Sequence, residues 1–249
     1  MRVSASLPML FPDLAPPAAV HAAKAAGFDA VELHWPYQTD AGEVADALDA
    51  TGLPLLSINT ARGDDGDFGL SALPDRGAEA RRAIDAAIGY ARRTRARFVH
   101  VMAGKAEGSQ AEATFRDALL YACEGAQAHG LTTLIEPING HDVPGYFLQD
   151  IDHAARIVDE LACDGLRLMF DCYHVARMGG DVMSALKAHL PRIAHIQIAG
   201  VPDRAEPDHG TLDYRPILDW LDAQGWEGYV GAEYRPGMPG DFDWMTRLR

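Results

Sequence analysis

The chain reads as an α/β protein, a single (β/α)8 TIM barrel spanning residues 1–249, and three observations lead there. Its 249 residues match the roughly 250 that such a barrel needs. Short β-rich apolar runs alternate with longer alanine-rich segments whose apolar residues recur at helical spacing, which is the rhythm of a parallel sheet. The apolar runs number about eight, as closure into a barrel requires.

In chain order the predicted strands are Val3 to Leu7, Ala30 to Leu33, Leu55 to Asn59, Phe98 to Met102, Thr133 to Glu136, Leu166 to Asp171, Ile193 to Ile198 and Tyr229 to Glu233. Each is short, apolar and rich in residues that suit a buried pleat. Between them the helical period covers Pro16 to Ala26, Ala41 to Ala50, Asp75 to Thr94, Ala111 to His129, Gln149 to Leu161, Asp181 to Leu190 and Tyr214 to Gln224. Gly27, Gly52, Gly130 and Gly225 each follow a helical run and fit left-handed C-caps. No polar, Pro-rich or Ser-rich linker interrupts the rhythm, so one domain is expected. Periodicity does not say whether the last strand closes on the first, and an open doubly wound sheet is the competing arrangement.

Composition narrows the partners. Thirty-six acidic residues against 22 basic ones give a formal net charge of −14, which disfavours binding to nucleic acid or to an anionic membrane. No stretch approaches the roughly 18 apolar residues of a membrane span, and the amino terminus lacks a signal-peptide pattern. Cys123, Cys163 and Cys172 are scattered and odd in number, unlike a disulfide framework or a Cys-x-x-Cys metal site, so a reducing cytoplasm is the expected home. Exposed barrel helices commonly support assembly, and a homo-oligomer is expected without any patch that identifies its interface.

The chemistry lies at the C-terminal ends of the strands, the face that carries the active site of barrel enzymes. Four successive ends place an oxygen donor there: Glu136, Asp171, Gln197 and Glu233. A carboxylate inside an apolar strand is costly to bury unless a cation or strong hydrogen bonds compensate it. One divalent metal would compensate several at once. Three carboxylates and an amide are hard ligands, favouring Mg2+ or Mn2+ over copper or a thiolate zinc site.

The motifs Ile135-Glu136-Pro137-Ile138-Asn139, Asp171-Cys172-Tyr173-His174, His195-Ile196-Gln197 and Glu233-Tyr234-Arg235-Pro236 resemble those of the hydroxypyruvate isomerase family, within the xylose isomerase-like barrels. The resemblance covers nearly the whole chain. It implies that Glu136, Asp171, Gln197 and Glu233 ligate the metal, and that Glu136 and Glu233 are the catalytic pair that moves protons. The implied substrate is a small hydroxy-oxo acid. Hydroxypyruvate, converted to tartronate semialdehyde through an enediolate, comes first, and 2-oxo-tetronate, one carbon longer, comes second. Ketose 3-epimerases are a further alternative, against which Gln197 argues because those barrels commonly carry histidine at the third ligand position. Two other classes stay in view: a non-catalytic sugar-acid binding barrel and a phosphodiester-cleaving nuclease, the latter lacking its expected histidine-rich ligands and basic face.

Substrate binding is assigned to His174, Arg204 and Lys105. His174, three residues past Asp171, can donate to a substrate oxygen or help position the metal. A substrate carboxylate calls for a cation, and Arg204, Lys105, Arg62 and Arg235 all follow predicted strand ends, with Arg204 the first choice. His195 shares strand parity with Gln197 and is expected deeper in the barrel. Glu32 and His34 end the second strand and fit either the pocket or a barrel-layer hydrogen bond. Asp64, Asp65 and Asp67 lack the terminal glutamate of a calcium loop and read as part of an active-site loop. Trp35, Trp226 and Trp244 read as packing residues.

Overall fold

The computed structural model describes residues 1–238 and 240–248. Its eight strands are β1 (Arg2–Ser6), β2 (Ala30–Glu32), β3 (Ser57–Asn59), β4 (Phe98–His100), β5 (Thr132–Ile135), β6 (Leu166–Asp171), β7 (Ile193–Ile198) and β8 (Tyr229–Ala232). All neighbours are parallel, in the order β2-β1-β8-β7-β6-β5-β4-β3. Main-chain bonds join the two ends of that order. Val31 N donates to Pro54 O at 3.0 Å, Leu56 N to Val31 O at 2.8 Å, and Leu33 N to Ser57 O at 3.0 Å. The sheet is therefore a barrel rather than an open doubly wound sheet.

The helices are α1 (Leu7–Leu10), α2 (Pro16–Ala25), α3 (Ala41–Thr51), α4 (Gly77–Thr94), α5 (Gly108–Gln127), α6 (Ile151–Leu161), α7 (Cys172–Arg177), α8 (Val182–His189), α9 (Arg215–Ala223) and α10 (Trp244–Leu248). Each long one buries a stripe against the sheet. In α4, for example, Ile84, Ala87, Ile88 and Ala91 are buried while Arg81, Arg82 and Arg92 face water. Gly27, Gly52, Gly130 and Gly225 all take positive φ between 68° and 86°, as helix C-caps require.

Three short helices have no counterpart in the predicted elements: α1, α7 and α10. Each is at most six residues long, too short for a 3.6-residue period to stand out. Of the three, α7 matters most, because it starts on the residue after Asp171. The Asp171 Oδ1 caps it by accepting from Tyr173 N at 2.8 Å. One carboxylate oxygen is thus committed to the backbone, and the other is left for the site.

Candidate active site

The C-terminal rim encloses a cavity of about 230 Å³ lined by Glu136, Glu233, His34, Asp142, His174 and Arg204, with Arg62 and Arg235 at its mouth. Larger, more open grooves elsewhere are lined by none of Glu136, Asp142 and Glu233. Glu136 follows β5 and Glu233 follows β8, so the barrel wall brings both to one chamber from positions 97 residues apart. Asp171 and Gln197 are register partners across β6 and β7, and both are almost fully buried. Gln197 is level with Gly231, two residues below Glu233.

The two cavity glutamates differ sharply in their surroundings. Burial works against the charged form of Glu233, but Arg204 Nη2 at 3.0 Å and His34 Nε2 at 2.8 Å outweigh it and hold this carboxyl below the usual range. Glu136 has no such support. Burial, reinforced by the charges of Glu233 and Asp171, raises it well above the ordinary value, and its Oε1 lacks a hydrogen-bond partner. Asp171 is pushed up to about 7 by burial, with Arg204 opposing and Glu233 adding to the rise.

His174 is fixed by a chain of donors and acceptors. Asn139 Oδ1 accepts from His141 N at 3.0 Å and Asp142 N at 2.9 Å, which turns Asn139 Nδ2 toward His174 Nδ1 at 2.6 Å. Nδ1 is therefore an acceptor, and in the neutral ring the proton sits on Nε2. Burial, with Arg204 nearby, lowers the His174 pKa to about 3, so the ring is neutral. Nε2 lies 3.6 Å from Glu136 Oε1 and 3.5 Å from Asp171 Oδ2. Potential ligand atoms of Glu136, Asp171 and His174 fall within 4.8 Å of one another, a cluster able to hold a cation. The tautomer assigns His174 to that cluster as an N–H donor, leaving the oxygens to ligate.

Below this layer lies Glu32, fully buried, accepting from Ser4 Oγ at 2.5 Å and Gln197 Nε2 at 2.9 Å, with His195 Nε2 3.0 Å away. Burial raises its pKa, but His195 and Ser4 together reverse that, and the net shift is downward. An ionised Glu32 only accepts, so the nitrogen of the Gln197 amide must face it. Gln197 Oε1 consequently points away from Glu32 and has no hydrogen-bond partner. Gly231 makes room for this arrangement. A Cβ there would collide with the Glu32 carboxylate and meet Gln197 Cγ at 2.9 Å and His195 Nε2 at 3.0 Å.

The other expected residues distribute as follows. Arg204 reaches Asp171 at 3.4 Å, Glu233 at 3.0 Å and Asp142 at 3.8 Å, and stacks over Tyr173 at 5.1 Å. Lys105 is exposed and lines an outer groove rather than the cavity, with its ammonium 5.9 Å from the Phe68 ring. Trp35 lines the cavity, whereas Trp244 is buried and donates to Tyr234 OH at 2.8 Å. Asp64 and Asp67 pair with Arg76 at 3.1 and 3.3 Å and staple their loop. His100, Asn139 and Asp142 were not predicted. His100 ends β4, two residues before the predicted strand end at Met102, so the strand-end rule passed over it; its ring nitrogens lack hydrogen-bond partners, Nδ1 lies 3.7 Å from Glu136 Oε2, and burial lowers its pKa to about 3.

Fold and site together define a (β/α)8 barrel in which two carboxyl groups, shifted in opposite directions by their surroundings, face one small chamber. A family model described as xylose isomerase-like TIM barrel matches residues 20–248. The chain is 42% identical to the 2-oxo-tetronate isomerase of Cupriavidus necator, covering 98% of this chain and 97% of that one. It is 33% identical to the hydroxypyruvate isomerase of Escherichia coli K12, with 95% and 94% covered. Among solved structures, one described as an AP endonuclease, family 2, from Brucella melitensis superposes with a TM-score of 0.95 at 33% identity, covering 100% of this chain and 99% of that one. The chain belongs to the xylose isomerase-like TIM barrel family and is an isomerase.

Proposed function

We propose that the enzyme isomerises a short 2-oxo-3-hydroxy acid by moving a hydrogen between C3 and C2. The observation that carries this is the Glu136 and Glu233 pair, which faces one cavity with its two protonation equilibria pushed apart, as an acid and a base require. Glu233, held ionised, takes the C3 proton and gives an enediolate. Glu136 delivers a proton to C2, and the C3 hydroxyl proton passes to the C2 oxygen as the new C3 carbonyl forms. His174 Nε2–H faces this chamber and donates to the oxygen where charge develops. The cavity, at about 230 Å³, is below the roughly 300–1,000 Å³ typical of drug-sized ligands and suits a small acid.

The donor set fits a divalent cation. Oxygens of Glu136 and Gln197 are buried without hydrogen-bond partners, and burial together with the charges of Glu233 and Asp171 raises Glu136. Glu136, Asp171, Gln197 and Glu233 would hold Mg2+ or Mn2+, with His174 beside them. When bound, the ion supplies Lewis-acid polarisation of the substrate oxygens. Metal-free protein keeps protons on Glu136 and, below about 7, on Asp171, and those protons compete with the cation. Mn2+ affinity is therefore expected to strengthen from about pH 6 to about pH 8, with proton release visible by calorimetry in two buffers. At about a hundredfold excess over Kd the ion adds roughly 2.7 kcal/mol, a rise in Tm of roughly 5–10 °C. An affinity that is flat with pH would contradict the protonated state of these carboxyls.

Hydroxypyruvate is the simplest substrate with this chemistry. The 42% identical relative named for 2-oxo-tetronate supports the four-carbon acid as the second reading. Proton NMR in heavy water with each acid separates them, because deuterium entry and product signals are read together. Failure of both acids to exchange or convert with Mg2+, Mn2+ or Co2+ would reject the reading. Against a nuclease role stand the net charge of −14 and a ligand set dominated by carboxylates.

A further inference from the structure

We propose that Arg62 binds the substrate carboxylate and so selects oxo acids over neutral sugars, an inference that rests on the isomerase reading above. The ionised carboxylates around the chamber repel an incoming acid, and the guanidinium of Arg204 is already shared by Asp142, Asp171 and Glu233. Its Nε is also occupied, donating to Glu233 O at 3.2 Å. An acid that took Arg204 would strip Glu233 of the charge that keeps it ionised.

Arg62 is differently placed. It lines the same cavity as Glu136 and Glu233, and among the described residues no carboxylate lies within ion-pair distance of it. Its guanidinium sits 4.1 Å from the Phe68 ring centroid and 5.4 Å from that of Trp35. The two rings stand at right angles to one another and flank the guanidinium without taking up its N–H donors, the groups with which arginine binds a planar carboxylate in pairs of hydrogen bonds.

The support beneath Arg62 is built rather than incidental. Phe68 takes a φ of 60°, a left-handed conformation that is unfavourable for an aromatic residue and persists only where surrounding contacts enforce it. Those contacts are present. Gly69 N donates to Arg62 O at 2.7 Å, Lys105 N donates to Asp67 O at 2.9 Å, and Arg76 pins Asp64 and Asp67. Trp35 is anchored in turn by its Nε1–H to Thr60 O at 3.1 Å. Arg235, the other cation of the cavity, is exposed as Arg62 is, but has neither an aromatic platform nor a side-chain partner among the described residues.

The test uses the Mn2+-supplemented enzyme with Arg62→Met, Arg62→Lys and Arg235→Met. Arg62→Met is expected to raise KM for hydroxypyruvate and 2-oxo-tetronate about 10- to 100-fold, the scale of a lost hydrogen-bonded charge contact, with kcat little changed. Deuterium entry into dihydroxyacetone, which carries CH2OH in place of the carboxylate of hydroxypyruvate, should be unaffected. Arg62→Lys should recover part of the loss, and Arg235→Met should leave KM unchanged. An unchanged KM in Arg62→Met, an equal loss on dihydroxyacetone, or a KM effect confined to Arg235→Met would each overturn the proposal. Calorimetric binding of glycerate, which cannot isomerise, separates this claim from the reaction. Arg62-dependent binding with no turnover of either acid would reject the isomerase substrate and keep the Arg62 site, whereas turnover with Arg62-independent glycerate affinity would do the reverse.

Discussion

Glu233→Gln, assayed with saturating Mn2+ in heavy water, is expected to stop deuterium from entering C3 of hydroxypyruvate, lowering exchange and conversion together by about 10³-fold. Glu136→Gln should lose conversion by a similar factor and yet retain exchange. The asymmetry follows from the environments. Arg204 and His34 keep Glu233 ionised and ready to accept, so it can take a proton, trade it with solvent and return it to C3 without Glu136. Glu136 faces the same cavity from a different strand end and lacks the Arg204 contact, which leaves it to serve C2. Metal occupancy must be checked in both variants, because both residues are proposed ligands. Equal loss of exchange in the two would refute the division of roles and leave the pair acting jointly.

The second large effect is structural. Glu32→Ala removes the shared acceptor of Ser4 and Gln197 and the neighbour of His195, all inside the barrel. Each abandoned polar group costs on the order of 1–3 kcal/mol, so a loss of about 4 kcal/mol is expected, seen as a fall in Tm of roughly 10 °C. Glu32→Gln keeps the shape and one acceptor oxygen, and should cost less than half as much. Because Glu32 sets which end of the Gln197 amide faces it, Mn2+ affinity should weaken in Glu32→Ala measured well below its melting range. Unchanged stability and unchanged affinity in Glu32→Ala would show that the buried network neither holds the barrel nor orients Gln197.

Much of this was legible in the chain because barrel geometry converts sequence position into place. A polar residue at the end of an apolar strand has one destination, and Glu136, Asp171 and Glu233 reached it, with Glu136 and Glu233 lining one chamber. Gln197 has its amide nitrogen bound to Glu32, 165 residues away. What local pattern does not carry is pairing across such separations. The tautomer of His174 depends on Asn139, 35 residues away, whose own orientation depends on two backbone N–H groups of the following loop. The position of Arg204 among three carboxylates is likewise a product of folding, since position alone marks it only as a cation after a strand. Lys105 follows β4 as expected, but its loop directs it outward. Asp142 lies in the loop after β5, with no strand end to mark it.

The buried layer of Ser4, Glu32, His195 and Gln197 has one more consequence. Its four side chains, all almost fully buried, fill the barrel beneath a chamber of about 230 Å³, room for a small acid. Reactant and product share that chamber and, in the proposal above, the guanidinium of Arg62 that lines it. Both carry the same carboxylate, so a contact there tightens both by the same amount. Such a contact governs who is admitted and how long each visitor stays, while the ratio of the two acids at equilibrium stays where their own chemistry puts it.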